Sequence, residues 1–375
     1  MCLYHKSHAR TTLKQQIMKK FLIGLLMLVS ILPATAKDFT VTRGVNISHW
    51  LSQSEVRGEE RAGRFTKEDA KFIAECGFDH IRIPIDEVQM FDENLNPDAE
   101  AFGLLHEAIG WCKEFKLKVI VDLHILRSHY FNAQVKPLFT EEKAQEDFYE
   151  CWRKICSELK KYPRNMVAYE LMNEPVADDP EIWNTIVNRC LAAVREIEPK
   201  RTIIIGSNRW QSYETVKYLT LPEDDKNLIM SFHFYEPFQL THFRASWTDE
   251  KNNPLQVRYP GYLADKEEAM KLTPEKMERY GWMTRQEGYN DINSLEEKIK
   301  QAYDAAKAKG RRIYLGEFGI IMGADEASSI QWYKDVVAIC EKYGIGYTTW
   351  DYRGGFGIFR NGNPWVEKID ALLGK

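Results

Sequence analysis

"MVAYELMNEPVAD" spans Met166 to Asp178 and decides how the rest of the chain is read. It begins as an apolar strand pattern without strict alternation of polar and apolar residues. A strand of that kind is covered on both sides, as strands of parallel sheets are. Its second half delivers an amide and a carboxylate, Asn173 and Glu174, where Pro175 stops the strand. A proline cannot continue a ladder. The exit of a buried strand therefore carries two polar side chains, and the question is whether other strands end the same way.

Seven more short runs have this character: Phe39–Ile47, His80–Pro84, Lys118–His124, Thr202–Ser207, Leu228–Tyr235, Ile313–Gly319 and Gly346–Tyr352. Between them the apolar spacing turns helical. Thr66–Cys76, Leu104–Phe115, Glu142–Lys161, Ile182–Ile197, Leu295–Lys309 and Ser329–Tyr343 are expected helices, with Gly77, Gly310 and Gly344 as stops. The fifth crossover, around Tyr213 to Leu221, is weak and short. Strands alternating with helices in this number predict an α/β fold, a single-domain (β/α)8 TIM barrel. The alternative is a doubly wound open sheet, but the first strand-to-helix turn lacks the glycine-rich phosphate signature such sheets often carry. The long connection from Tyr235 to Ser294 departs from the pattern. It is rich in aromatics (Trp247, Tyr259, Tyr262, Tyr280, Trp282), which argues against disorder. Since it follows a strand's C-terminal end, it is expected to wall a cleft.

The N-terminus reads differently. Lys19 and Lys20 precede an apolar run, Phe21 to Leu32, and Ala34-Thr35-Ala36 is a small-x-small cleavage site. Residues 1–36 are expected to be a leader with a secretory signal peptide, translation starting at Met18 and cleavage following Ala36. Residues 37–375 are expected to form the barrel. The apolar run is short for a membrane span, so no stable membrane insertion is expected after cleavage and the mature protein is expected to be secreted or periplasmic; a retained anchor is the alternative. Cys76, Cys112, Cys151, Cys156, Cys190 and Cys340 match no zinc spacing and fall in helical segments among apolar neighbours. They are expected to be small core residues. With a formal net charge of -4 and no basic block, nucleic acid is not an expected partner. A monomer is expected. The 10 tryptophans fit either a large core or surfaces on which flat ligands stack.

A TIM barrel exposes the C-terminal ends of its strands to one rim. Asn46, His49 and Trp50 follow strand one. Arg82 lies on strand two, Asp122 and His124 end strand three, and Asn173 and Glu174 follow strand four. Asn208 and Trp210 follow strand five, His233 and Tyr235 end strand six, Glu317 lies on strand seven and Trp350 ends strand eight. Any one of these has an ordinary structural explanation. Together they bury two carboxylates, an arginine and two histidines around one point, which costs several kcal/mol unless the groups serve each other or a ligand. Two facing glutamates suit acid/base work on an acetal, one carboxyl protonating the leaving oxygen and the other attacking or activating water. Arg82 is suited to hold one of them ionised. Asn173 is suited to donate to a sugar 2-hydroxyl, and Trp350 to lie beneath a pyranose.

The motifs "RIP" at Arg82, "DLH" at His124, "NEP" at Asn173, "HFY" at His233, "GEFG" at Glu317 and the late Trp350 resemble those of glycoside hydrolase family 5, the cellulase-type retaining β-glycanases. The resemblance runs from about Arg43 to Trp350, in order. It implies Glu174 as acid/base, Glu317 as nucleophile, and Arg82, His124, Asn173, His233, Tyr235 and Trp350 as shapers of the reacting subsite. It implies retention of configuration, carboxyls about 5–5.5 Å apart, and no metal or organic cofactor. Asn46, Trp50, Trp210 and Trp247 are added as candidate contacts to a polysaccharide or oligosaccharide, with Trp282 a further platform. "RGVNISHWLSQ" and "THFRASWTD" resemble endoglucanase-like members and favour an endo-acting β-1,4-glucanase. A β-mannanase or exo-β-glucanase of the same family, a non-catalytic sugar-binding barrel, and a metal hydrolase using His124 and His233 are the competing readings. No appended carbohydrate-binding domain is expected, which favours soluble or partly digested polysaccharide.

Overall fold

The computed structural model describes residues 38–375; the expected leader lies outside them. Eight parallel strands close into a barrel: β1 Arg43–Asn46, β2 His80–Asp86, β3 Lys118–Ile125, β4 Val167–Glu170, β5 Ile203–Gly206, β6 Leu228–Phe234, β7 Arg312–Phe318 and β8 Gly346–Thr349. Each neighbours the next in sequence, and β8 pairs with β1 through Arg43 and Tyr347 to close the ring. All eight coincide with the apolar runs of the sequence. The outer layer is α1 Lys67–Cys76, α2 Ala99–Glu114, α3 Glu142–Leu159, α4 Pro180–Ile197, α5 Ile292–Ala308, α6 Glu326–Tyr343 and α7 Val366–Leu372. The weak fifth crossover is a single 3₁₀ segment, Tyr213–Tyr218. The expected glycine stops all sit in the left-handed region, Gly77 at φ 108°, Gly310 at 63° and Gly344 at 66°, where a Cβ is disfavoured.

Side chains alternate across each strand. Val119, Val121 and Leu123 of β3 point out into the main core under the helices, with all three fully buried. Ile120 points in, joining Phe39, Ala168, Ile204, Ile229 and Tyr314 in a separate apolar plug at the barrel's base. Two residues further along β3, β4 and β6 the inward positions turn polar, Asp122 above Ile120, Glu170 above Ala168 and Ser231 above Ile229, while β5 and β7 carry glycines there, Gly206 and Gly316. The barrel is thus apolar below and ionic above, and the rim stands on the ionic layer.

The tryptophan question resolves largely toward the core. Trp50, Trp152, Trp183 and Trp332 are fully buried. Each indole N–H donates to a backbone carbonyl: Trp50 to Arg61, Trp152 to Leu171, Trp183 to Gly206 and Trp332 to Glu236. Three of those carbonyls lie at or just past the ends of β4, β5 and β6, so the helix tryptophans Trp152, Trp183 and Trp332 fasten the rim from outside. Trp50 was expected to contact a ligand. Its ring instead packs on Phe65 (centroids 5.4 Å apart) and presents no face to the barrel mouth.

The six cysteines are unpaired and, apart from Cys76, buried, matching the core reading. The long connection after β6 is ordered around its own buried residues, Leu255, Val257, Leu263, Tyr280 and Met283. Tyr259 fixes it to α6, its hydroxyl donating to Asp335 at 2.6 Å and its N–H to Ser328 Oγ at 2.9 Å. Replacing Trp50 with alanine removes a filled core site, so Trp50→Ala is expected to lose about 3–5 kcal/mol of stability. Equilibrium urea denaturation checks this.

Candidate active site

Arg82 stands at the centre. It is fully buried on β2 and every nitrogen is used. Nε donates to Glu170 at 2.7 Å. Nη1 donates to Asn46 Oδ1 at 2.9 Å and to Glu317 Oε1 at 2.8 Å. Nη2 donates to Asn173 Oδ1 at 2.9 Å and lies 3.1 Å from Asp122 Oδ2. One guanidinium therefore meets three carboxyls and two amides from four strands: β1, β3, β4 with its exit, and β7. The barrel register makes this possible. Asn46 pairs with Arg82 across β1 and β2, and Asp122 with Glu170 across β3 and β4.

Glu317 is reached through an irregularity. The β6–β7 register shifts between Phe232 and His233, so His233 comes opposite Glu317 and not Gly316. The shift turns Glu317 inward on a strand whose alternation would otherwise point it out. The Tyr235 hydroxyl donates to Glu317 Oε2 at 2.9 Å. Burial pushes the Glu317 carboxyl up, and the Arg82 guanidinium pulls it back.

Glu174 was expected at the end of strand four. The ladder proper stops at Glu170, but Leu171 N–H still donates to Ile204 and Asn173 N–H to Leu123. Glu174 then takes a left-handed backbone, φ 44°, which is strained for a residue with a Cβ. Its N–H donates to Gln211 Oε1 at 2.9 Å. His233 Nδ1 lies 2.8 Å from its Oε1 and 3.7 Å from Glu317 Oε2. Burial raises the Glu174 carboxyl well above the usual range, and the charge of Glu317 raises it further. Burial also holds His233 well below its ordinary value, so its ring is neutral.

His124 Nδ1 lies 2.7 Å from Asp122 Oδ2, and its ring stacks on Trp350 with planes 6° apart. Burial lowers the imidazole to about 4 and raises Asp122 to about 7, Arg82 opposing the latter. The pair keeps one indole face fixed at the rim. Asn46 ties β1 to β7 and β8, its amide donating to the carbonyls of Gly316 and Thr349, both at 3.2 Å. Asn173 Nδ2 is buried and makes no hydrogen bond within the protein. A buried donor of that kind is expensive to leave unmade.

The ring thus gathers Asn46, Arg82, His124, Asn173, Glu174, His233, Tyr235, Glu317 and Trp350 at one mouth. Trp210 and Trp247 stand further out, 48% and 61% exposed. Trp247 meets His242 edge-on, and His242 in turn lies against Tyr235. Trp282 is packed against the main core. Sequence reading missed Glu170 and Gln211. Glu170 had a signal, a carboxylate at an inward position within an apolar run. Gln211 had none, because its place depends on a turn of three successive left-handed residues, Arg209, Trp210 and Gln211.

Single donor atoms of Glu174, His233 and Glu317 lie within 4.8 Å of one another, a spacing that could hold a metal ion. They are already engaged with each other, with Arg82 and with Tyr235. What the site offers chemically is two buried carboxyls in unequal surroundings, one beside a fixed cation and one without.

The family model for "Cellulase (glycosyl hydrolase family 5)" matches residues 35–355. Endoglucanase C of Acetivibrio thermocellus is 33% identical over 318 residues, covering 83% of this chain and 90% of the relative. Among solved structures, an endoglucanase superposes with a TM-score of 0.72 at 29% identity, covering 89% of this chain and 97% of the other. Cel5A of Thermotoga maritima, solved with mannotriose and with cellobiose, superposes with a TM-score of 0.72 at 27% identity, covering 88% of this chain and 97% of that one.

Arg82 is the sole guanidinium in contact with Asp122, Glu170 and Glu317 among the described residues. Removing one partner of a buried ionic cluster typically costs about 3–5 kcal/mol, and Arg82→Met is expected to show that loss in chemical denaturation. A carboxyl whose folded pKa lies above its unfolded value destabilises the fold as pH rises through it. Loss of the guanidinium raises Asp122 and Glu170 beyond their already raised values. The deficit should therefore be larger at about pH 8 than at about pH 5.

Proposed function

The chain belongs to glycoside hydrolase family 5 and is a glycosidase hydrolysing O-glycosyl bonds. On that premise we propose that it cuts β-1,4-linked glucan internally, by double displacement, with Glu317 as nucleophile and Glu174 as acid/base. The observation that carries this reading is the asymmetry of the two carboxyls. Arg82 Nη1 and the Tyr235 hydroxyl both address Glu317, which favours its ionised form. Glu174 faces burial and the negative charge of Glu317, which favours its protonated form. An ionised attacker and a protonated donor on one pocket are what the first step of glycoside cleavage requires.

In that step Glu317 attacks the anomeric carbon while Glu174 gives its proton to the departing oxygen. The glycosyl ester that forms removes the charge from Glu317. The main electrostatic reason for Glu174's raised pKa goes with it, so Glu174 becomes able to take a proton from the incoming water. That water displaces Glu317 and restores the starting configuration at carbon 1. Carboxyl oxygens within 4.8 Å fit direct attack better than the roughly 6.5–9.5 Å that an inverting pair needs for an intervening water. Asn173 Nδ2, otherwise unmatched, is suited to the sugar 2-hydroxyl. Trp350, held flat by His124, is suited to the sugar face.

The substrate assignment rests on the relatives. The relative from Acetivibrio thermocellus and one superposing structure are both endoglucanases by name, while Cel5A binds cellobiose and mannotriose in its solved complexes. A mannan is accordingly the alternative substrate. Trp210 and Trp247 are exposed and suited to stack sugars beyond the reacting one. We place the enzyme outside the cytoplasm because of the leader pattern; among the described residues no helix is long and apolar enough to cross a membrane. A monomer is the expected state.

Glu317→Ala and Glu174→Ala are each expected to lower kcat on soluble β-glucan by at least about 10²-fold, with the circular dichroism spectrum unchanged. Near wild-type rates in either variant contradict the role assignment. In kcat/KM, Glu174→Ala should also lose the fall at high pH, because that limb reports deprotonation of the acid in the free enzyme. NMR of the first-formed product should show the β-anomer; an initial α-anomer excludes double displacement. A panel of glucan, xyloglucan and mannan with product lengths recorded decides substrate and cutting mode.

A further inference from the structure

Gln211 is fully buried and lies beneath the acid/base, out of the pocket's lining. Its amide is fully used. Oε1 accepts from Glu174 N–H at 2.9 Å; Nε2 donates to Glu170 Oε1 and to Ser231 Oγ, both at 3.2 Å. This orientation is forced, because a flipped amide would set its NH₂ against the Glu174 N–H and its oxygen against the Glu170 carboxylate. The barrel wall is shaped to admit the side chain. A Cβ on Gly206 would lie 2.3 Å from the Gln211 amide carbon, so β5 carries a glycine where Gln211 passes.

Two strained backbones meet at this bond. Glu174 has φ 44°, and Gln211 closes a left-handed run at φ 53°, 57° and 52°. Such conformations are strained for residues with a Cβ and persist only where the surroundings over-determine them. The turn before Gln211 is held by Asn208, whose amide accepts from Ala177 N–H at 2.8 Å and donates to the Ala177 carbonyl at 2.9 Å. Trp210 N–H also donates to the Pro175 carbonyl at 3.3 Å, so the loop carrying Glu174 and the turn carrying Gln211 are bolted together at three points. The bonds also run on without a gap: from Glu174 N–H to Gln211, to Glu170, to Arg82 and to Glu317.

We infer that Gln211 is a positioning residue for proton transfer: it holds the Glu174 backbone in its left-handed conformation and so aims the carboxyl at the leaving oxygen, without touching substrate. The inference rests on the reading of Glu174 as the acid/base. It makes Gln211 part of the acid's mounting and leaves nucleophilic attack to Glu317 and Arg82.

The leaving group separates these roles. 2,4-Dinitrophenolate departs without a proton, whereas the sugar alcohol released from cellotetraose needs one. kcat/KM reports steps through the first bond cleavage, so it isolates the acid function from the later base function. Gln211→Met keeps the side chain's length and loses both hydrogen-bonding ends. It is expected to lower kcat/KM on cellotetraose by about 10²-fold and on 2,4-dinitrophenyl β-cellobioside by less than about 5-fold. Gln211→Asn, too short to bridge Glu174 and Glu170, gives the same selective loss and serves if the methionine variant does not fold. Equal losses on both substrates, or no loss on either, overturn the inference. Glu174→Ala is run alongside. If it too lacks leaving-group dependence, the acid/base assignment itself fails; if it shows the dependence and the Gln211 variants do not, only the role of Gln211 fails.

Discussion

A single buried cation organises this molecule's working end. Arg82 brings one positive charge to a place where Asp122, Glu170 and Glu317 converge. Three carboxyls and one guanidinium out of water cannot all be ionised without heavy desolvation cost. The structure meets this constraint unevenly. Glu317 and Glu170 have direct charge-assisted bonds to Arg82, while Asp122 is raised to about 7 and shares itself with His124. Glu174 lies beyond direct contact with the guanidinium and is raised most clearly. The unequal surroundings of two chemically identical side chains follow from where one arginine stands.

The same arginine fixes the geometry of groups that carry no charge. Asn46 and Asn173 both turn their amide oxygens to it, which leaves the two NH₂ groups facing elsewhere. That of Asn46 ties β1 to β7 and β8, and that of Asn173 is left with no partner in the protein. Asp122 passes the orientation on to His124, and His124 to Trp350. Preorganised dipoles of this sort need no rearrangement when charge develops during reaction. The tryptophans on the helices act at the next remove by capping carbonyls at the strand ends.

Much of the fold was legible because parallel strands buried on both faces leave an unbroken apolar run, and all eight were found that way. The site was legible to the extent that its residues sit at strand ends in the expected alternation: Arg82, His124, Asn173, Glu174, His233, Tyr235, Glu317 and Trp350 do share one mouth. What escaped depends on local geometry that a pattern does not encode. The slip between Phe232 and His233 that turns Glu317 inward is invisible in the run "IYLGEFG". The left-handed turn that delivers Gln211 uses no glycine and gives no warning. Trp50 was misassigned because a tryptophan just past a strand can fold outward as readily as inward. Its indole found the Arg61 carbonyl and the Phe65 ring outside the barrel. Glu170 was readable, as an inward charge two residues above Ala168.

The central claim is that Arg82 makes Glu317 the carboxylate that bonds to sugar. Incubation with 2,4-dinitrophenyl 2-deoxy-2-fluoro-β-cellobioside, followed by intact-mass measurement and peptide mapping, tests it most directly. The account predicts one fluorocellobiosyl group per chain, attached at Glu317. A label on Glu174, or turnover of the reagent with inverted product and no label, would contradict it.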